Sequence, residues 1–241
     1  SSDLNDLEVT CQNGGDEFRP DIVIFINGLP LSYIEVKQPN AIRDGKTAIQ
    51  SEQSRTAVRF ENRRFRRFNN ITQLISFSDN LPYISGQGQQ KQGSFYCSNA
   101  FSKTKFNAFK EEREEELIYS IRSLGEEEID AVLKDVNRFA LKSQPEFKTN
   151  QDPSTPCNTF ISSLYQKERL LFLLRYGLAY VEEHSKDGTI QLQKHVMRYP
   201  QFFATKAIED AIGKGVKKGV IWHTQGSGKT ALSYFNIRYL T

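Results

Sequence analysis

Arg19-Pro-Asp-Ile-Val-Ile-Phe-Ile-Asn-Gly-Leu-Pro-Leu31, followed by Ser32-Tyr-Ile-Glu-Val-Lys-Gln-Pro39, is the stretch on which the reading of this chain turns. Asp21–Ile26 is rich in β-branched and aromatic residues, Asn27-Gly28 is a hairpin signal, and Leu31–Lys37 returns with a strand pattern. Pro30 belongs in the connection or at a strand start, where its missing N–H costs least. The unbroken apolar run 22–26 predicts a strand buried on both faces, as in a central sheet covered by helices.

Side chains two apart on a strand share a face, so Glu35 and Lys37 point together, with Ile34 and Val36 opposite. Folding the hairpin about Gly28 brings Asp21 opposite Glu35, with a one-residue slip left open. Two carboxylates converging at a sheet edge make a hard-oxygen site suited to Mg²⁺. A neighbouring lysine can orient water or offset charge on a phosphoryl oxygen. The same residues also suit a solvated charged face.

Outward from the hairpin, a helix is expected over roughly 41–58, a strand over Ile71–Phe77 and a glycine-glutamine loop over Gly86–Gly93. Residues 108–139 read as helical with a break at Gly125, and 145–158 as a linker. A long helix is predicted from Ser162 or Ser163 to about Tyr180, a strand over 188–197, a helix over 201–212 and a strand over Gly219–Trp222. The last is followed by a glycine loop and a helix from Lys229.

The chain has 241 residues, 25% of them charged, and a net charge of +3, too small to argue for nucleic acid without local clustering. Such a cluster lies at 55–68, where Arg55, Arg59, Arg63, Arg64, Arg66 and Arg67 face one acid, Glu61, with Phe60, Phe65 and Phe68 between them. Arginine donates bidentate hydrogen bonds to phosphate, so these six are candidate DNA contacts. A solvated helix face with aromatic anchors has the same composition. Residues 110–130 hold nine acids and three bases and should face solvent or a basic partner. Cys11, Cys97 and Cys157 are far apart and show no metal-ligand spacing, nor do His184, His195 and His223. No apolar run approaches the roughly 20 residues that span a bilayer, which points to a cytoplasmic protein with no membrane partner.

Gly219-Val-Ile-Trp-His-Thr-Gln-Gly-Ser-Gly-Lys-Thr-Ala231 reads as strand, phosphate loop and helix. Its candidate ATP-binding residues are Gln225, Gly226, Ser227, Gly228, Lys229 and Thr230. The backbone N–H groups cradle phosphates, Lys229 reaches the β/γ-phosphates and the Thr230 hydroxyl ligates Mg²⁺. The usual first glycine of this pattern is replaced by His223.

Two resemblances follow. The hairpin with Ile34-Glu-Val-Lys-Gln-Pro39, approached by Asn5-Asp-Leu-Glu-Val9 through Gln12, closely resembles the nuclease domain of the restriction subunit of type I restriction-modification enzymes. The resemblance implies a PD-(D/E)xK fold, a mixed central sheet flanked by helices in an α/β domain. Asp21 and Glu35 would be its metal-binding acids and Lys37 its catalytic lysine. The family's further acid lies on a helix upstream, for which no helix is read here. Its usual glutamine, four residues before a tyrosine, has only partial counterparts in Gln50 and Gln53, followed by Ser54 and Ala57.

The loop at 219–231 resembles the first motif of superfamily 2 helicase-like motors, and His223-Thr224 is the family's usual entry to it. Met197-Arg-Tyr-Pro-Gln-Phe-Phe-Ala204 resembles its glutamine motif, which implies Gln201 against the adenine edge. Glu168-Arg-Leu-Leu-Phe-Leu-Leu174 resembles the family's connector. The implied organisation is a nuclease domain at 1–150, a linker and connector helix at 151–195, and the beginning of a RecA-like superfamily 2 motor at 196–241. The implied activity is Mg²⁺-dependent cleavage of double-stranded DNA, coupled to ATP-driven translocation in the complete subunit beside specificity and methyltransferase subunits. A nuclease-like DNA- or subunit-binding module with weak chemistry is the alternative. The acidic motif and arginine finger of the motor are not among these residues, so these residues alone should not hydrolyse ATP.

Overall fold

The Asn27-Gly28 pair bends the chain with both residues at positive φ, 51° and 78°, which matches the right-handed twist of the strands it joins. The computed structural model describes residues 20–84, 92–99, 104–117, 124–184, 187–223 and 226–241. The approach segment 5–12, most of the 86–93 loop, and Thr224 and Gln225 lie outside them.

The hairpin strands are β1 (Ile22–Ile26) and β2 (Leu29–Val36). A second, two-residue hairpin, β3 (Ile42–Arg43) and β4 (Lys46–Thr47), leads into α1 (Ala48–Glu61), and α2 (Arg66–Ile71) follows. Three more strands, β5 (Leu74–Ser78), β6 (Ser94–Cys97) and β7 (Asn107–Ala108), complete a sheet of order β1-β2-β5-β6-β7. It is mixed: β2 pairs with β5 in parallel and the other neighbours are antiparallel. Helices α3 (Glu126–Asp135), α4 (Pro145–Asn150), α5 (Pro156–Leu164) and α6 (Lys167–Tyr176) come next. A separate hairpin, β8 (Leu178–His184) with β9 (Ile190–Val196), leads to α7 (Tyr199–Gly213) and α8 (Lys229–Leu240).

Several expectations need correction. β1 is the sheet's edge and not its centre: Ile22 is 41% and Phe25 51% exposed. Every residue of β5 is buried, its apolar side chains packing into the clusters that hold Leu74, Ile75 and Phe77. The helix expected from 41 begins at Ala48, since Asp44-Gly45 form another positive-φ turn and Thr47 caps α1. In 108–139 the described α-helix is α3 alone, and Glu114–Glu116 form a single 3₁₀ turn. The linker expected at 145–158 is largely helical, with Pro145 and Pro156 each opening a helix.

The long helix expected to Tyr180 is two helices, broken between Leu164 and Lys167 and ended at Gly177. A Cβ at Gly177 would lie 2.9 Å from the Leu173 carbonyl oxygen, so the turn into β8 needs glycine. Residues 219–222 form no strand. Val220 and Trp222 are 89% and 92% exposed, and no described strand lies beside them to complete a ladder.

The largest hydrophobic cluster joins Leu74, Tyr96 and Phe109 to Phe160 of α5, Phe172 of α6, Met197, Phe202 and Phe203 of α7 and Phe235 of α8. It therefore runs across the divisions expected near 150 and 195. The Tyr96 hydroxyl donates to the Met197 carbonyl at 2.7 Å, and that of Tyr165 donates to Ser76 at 2.7 Å, tying the later helices to the sheet. Glu111, expected to face solvent or a basic partner, is buried. It accepts from Arg169 at 2.6 Å and from Ser163, and the Arg169 guanidinium lies over the Phe202 and Phe203 rings.

Removing one partner of such a buried pair strands the other charge. Arg169→Met is expected to destabilise the protein by about 3–5 kcal/mol in urea unfolding, and Glu111→Gln in the same chain to recover much of that loss. A double variant no more stable than Arg169→Met would show that the pair is not the source of the loss.

Candidate functional site

The hairpin register pairs Ile22 with Ile34, so one step further outward Asp21 stands opposite Glu35, as the spacing predicts. An Asp21 carboxylate oxygen accepts the backbone N–H of Val36 at 2.7 Å. Glu35 lies in β2, which has a strand on each side, and is only 4% exposed. The backbone N–H of Lys37 donates to the Ser78 carbonyl at 2.8 Å, holding the end of β2 against β5. The Lys37 ammonium then turns back over the acids, 2.6 Å from Glu35 and 3.9 Å from Asp21. Across the strand, Ile34 is buried and Val36 exposed.

A third acid completes this group, and the sequence reading missed it. Glu52 of α1 is 0% exposed. Its Oε2 is 3.4 Å from the Lys37 ammonium, and its Oε1 accepts from Arg59 at 3.1 Å. Arg59 also reaches Glu35 Oε1 at 3.5 Å, so it faces inward and is not available as the expected surface phosphate contact. Glu52, Thr56 and Arg59 stand four and then three residues apart on one helix face, a helical spacing visible in the sequence. Gln50 instead caps α1, its side chain accepting from the Thr47 N–H at 3.0 Å. Gln53 is half-buried. Arg55 is 3.7 Å from Glu52 and largely exposed, as are Arg63 and Arg67; the side chains of Arg64 and Arg66 are outside the description.

Burial, then the Glu52 charge, pushes the Glu35 carboxyl above its usual range, against the hydrogen bond from Lys37 and the charges of Lys37 and Arg59. Burial alone would lower Lys37. The hydrogen bond to Glu35 and the charges of Glu52, Glu35 and Asp21 outweigh it and hold the ammonium above its usual value. Among the described residues no three acid, thiol or imidazole groups form a ready metal cage. The donor chemistry nevertheless fits a hard divalent cation, because Glu35 Oε1 and Glu52 Oε2 are buried without a hydrogen-bond partner.

At the phosphate loop, Gly226 and Gly228 take φ of 76° and 82°, and Gly228 caps α8 so that Lys229 and Thr230 begin the helix, both exposed. Gln201 is buried against this loop: its amide donates to the Gly228 carbonyl at 3.0 Å and accepts from the Arg198 N–H at 2.8 Å. Both ends of the amide are thus bonded to protein, and Gln201 braces the loop. A Cβ at Gly228 would lie 2.5 Å from the Gln201 amide nitrogen. Ser227 is buried with its hydroxyl unpartnered. A cavity of about 1090 Å³, lined in part by Tyr199, Gln201, Gly228, Thr230 and Tyr234, opens beside the loop.

A folded-state value above the unfolded one means that Lys37 stabilises the fold fully below its unfolded pKa of about 10.5. That contribution is lost as pH rises through the folded value. Lys37→Met is therefore expected to lower stability in urea at pH 8, with the gap from the parent protein narrowing above pH 10.5. A gap that stays constant with pH would show that the ammonium is not the cause.

Residues 4–115 match the family described as type I restriction enzyme R protein N terminus, and residues 200–241 match that described as SWI2/SNF2 ATPase. The type I restriction enzyme HindI endonuclease subunit of Haemophilus influenzae is 27% identical over 238 residues, 96% of this chain and 18% of that protein. A Methanocaldococcus jannaschii protein named putative type I restriction enzyme MjaIXP endonuclease subunit is 23% identical over 241 residues, 96% of this chain and 19% of its own length. Another from the same organism is 43% identical over 76 residues, 29% of this chain and 7% of its own. The chain thus spans less than a fifth of these relatives. No solved structure matches it. Over residues 4–115 by the family match, and over nearly all its residues by these relatives, the chain is similar to the N-terminal part of type I restriction enzyme endonuclease subunits.

Proposed function

We propose that this chain carries the DNA-cleaving site and the first nucleotide-binding motif of a type I restriction endonuclease subunit. The observation that carries the reading is the convergence of Asp21, Glu35 and Lys37 at the end of β2, in a chain homologous to subunits named as endonucleases. The substrate is double-stranded DNA. Asp21 and Glu35 would hold Mg²⁺, which would supply positive charge to the scissile phosphate. Lys37 orients the attacking water and offsets charge growing on a non-bridging oxygen as the P–O bond breaks. The exposed arginines Arg55, Arg63 and Arg67 add backbone contacts that carry no sequence information.

The fold is of the PD-(D/E)xK type over about 1–150, joined through 151–195 to the start of a RecA-like motor at 196–241. The SWI2/SNF2 match supports ATP as the second ligand. Gln225–Thr230 receives its phosphates, Lys229 the β/γ pair, and Thr230 the accompanying Mg²⁺. Gln201, beside the loop, turns to the adenine edge when nucleotide enters. In the complete subunit, ATP-driven translocation brings DNA to the nuclease, and specificity and methyltransferase subunits select the sequence. The complex acts in the cytoplasm, and no described helix is long and apolar enough to cross a membrane.

A second reading, a nuclease-like binding module with weak chemistry, draws on one observation: Lys37 and Arg59 already neutralise the buried acids.

ATP-dependent plasmid cleavage by the intact subunit with its partner subunits tests this. Asp21→Ala is expected to reduce cleavage to background with ATPase intact, Lys37→Met to slow cleavage about 100-fold, and Lys229→Ala to abolish both activities. Undiminished cleavage by Asp21→Ala would move the chemistry elsewhere.

A further inference from the structure

Glu52 has no assigned part in the reading above, yet it is the most completely buried acid of the described residues. Burying a carboxylate in a helix face is costly unless it is fully paired and hydrogen-bonded. Glu52 is only partly so. Its Oε1 is served by Arg59 at 3.1 Å, while Oε2 lies 3.4 Å from Lys37 and 3.7 Å from Arg55 with no hydrogen bond to either. Glu35 has the same defect: Oε2 takes the Lys37 hydrogen bond and Oε1 has none. Two buried acids on different elements each keep one oxygen without a hydrogen bond, Glu52 Oε2 at 3.4 Å from Lys37 and Glu35 Oε1 at 3.5 Å from Arg59.

The three acids come from the approach to β1, from β2 and from α1. One nitrogen, Lys37 Nζ, stands 2.6, 3.4 and 3.9 Å from them. A cation therefore already occupies the space between them, at ammonium distances. The three carboxylates face Lys37 and Arg59, with the more exposed Arg55 3.7 Å from Glu52, so side-chain cations balance the acids in the absence of a metal. A hard oxygen set of this charge suits Mg²⁺ or Mn²⁺, whose shorter bonds of about 2.1 Å need the acids drawn inward and the cations turned aside. This also accounts for the lack of a ready cage, since the acids are now spread around the ammonium.

We propose that Glu52 is a third metal ligand of this site, acting with Asp21 and Glu35, and that Arg59 is the counter-cation that holds it when no metal is bound. The inference rests on the nuclease reading of the hairpin. It places the helix-borne acid of the site downstream on α1.

Mn²⁺ binding to the intact protein without nucleotide, followed by electron paramagnetic resonance, tests it. Asp21→Asn and Glu52→Gln are each expected to weaken binding at least about tenfold, and Glu52→Asp to recover part of the loss. Arg59→Met is expected to bind Mn²⁺ several-fold more tightly, since it removes the competing cation. Where Glu52→Gln alone fails to fold, Glu52→Gln with Arg59→Met removes both buried charges together and is compared with Arg59→Met. A folded double variant that binds Mn²⁺ as well as Arg59→Met, while Asp21→Asn has lost it, overturns the role of Glu52 and leaves the hairpin reading standing. If Asp21→Asn also binds as the parent does, the hairpin reading itself fails.

Discussion

Parallel pairing of β2 with β5 constrains everything at the site. Two antiparallel strands can meet through a two-residue turn, as β1 and β2 do at Asn27-Gly28, but parallel neighbours require the chain to cross over and start again from the same end. Here the crossover is the short β3–β4 hairpin, α1 and α2. Its passage over the sheet lays the face carrying Glu52, Thr56 and Arg59 against the end of β2, where Glu35 and Lys37 emerge. The same pairing buries β5 and fixes the backbone of Lys37 through Ser78.

Two buried charge groups meet the same energetic problem in different ways. Glu111 is saturated: Arg169, Ser163 and the backbone N–H groups of Glu112 and Arg113 all donate to it, and aromatic rings enclose the guanidinium. That arrangement suits a fixed joint between the loop after β7 and helices α5 to α7. The acids around Lys37 are under-satisfied, with orphaned oxygens on Glu35 and Glu52. Unsatisfied buried oxygens make a poor joint and a good receptor for a small cation. The phosphate loop stands between these cases. Gln201 satisfies the Gly228 carbonyl, while the Ser227 hydroxyl is left buried and unpartnered.

Legibility followed the range of the interactions involved. The β1–β2 hairpin, its register, β9, α7 and the start of α8 were readable because each is signalled by neighbouring residues: a turn dipeptide, a periodic run, a glycine cap. The mistakes lay where a local pattern has two tertiary outcomes. An apolar run such as 22–26 can be a centre or an edge, and only its neighbours decide. Pro145 and Pro156 break a chain or open a helix, according to what packs behind them. Val220, Ile221 and Trp222 have strand character but no described partner strand. Glu111 and Arg59 each sit in a run of like charge, read as facing solvent or a basic partner and as a DNA contact or solvated face, although Arg169 and Glu35 draw them inward.

The sequence by itself determined the hairpin with its opposed acids and lysine, the glycine loop before α8, and the kinship both motifs carry, because these depend on spacing within a few residues and on side-chain chemistry. Tertiary structure alone decided which strand is central, which residue of α1 faces the acids, and that one core unites the sheet with α5 to α8. The physical reason is that burial and ion pairing join residues far apart in sequence, such as Lys37 with Glu52 or Leu74 with Phe235, and no local pattern of polarity specifies which of many equivalent charges or apolar runs will meet.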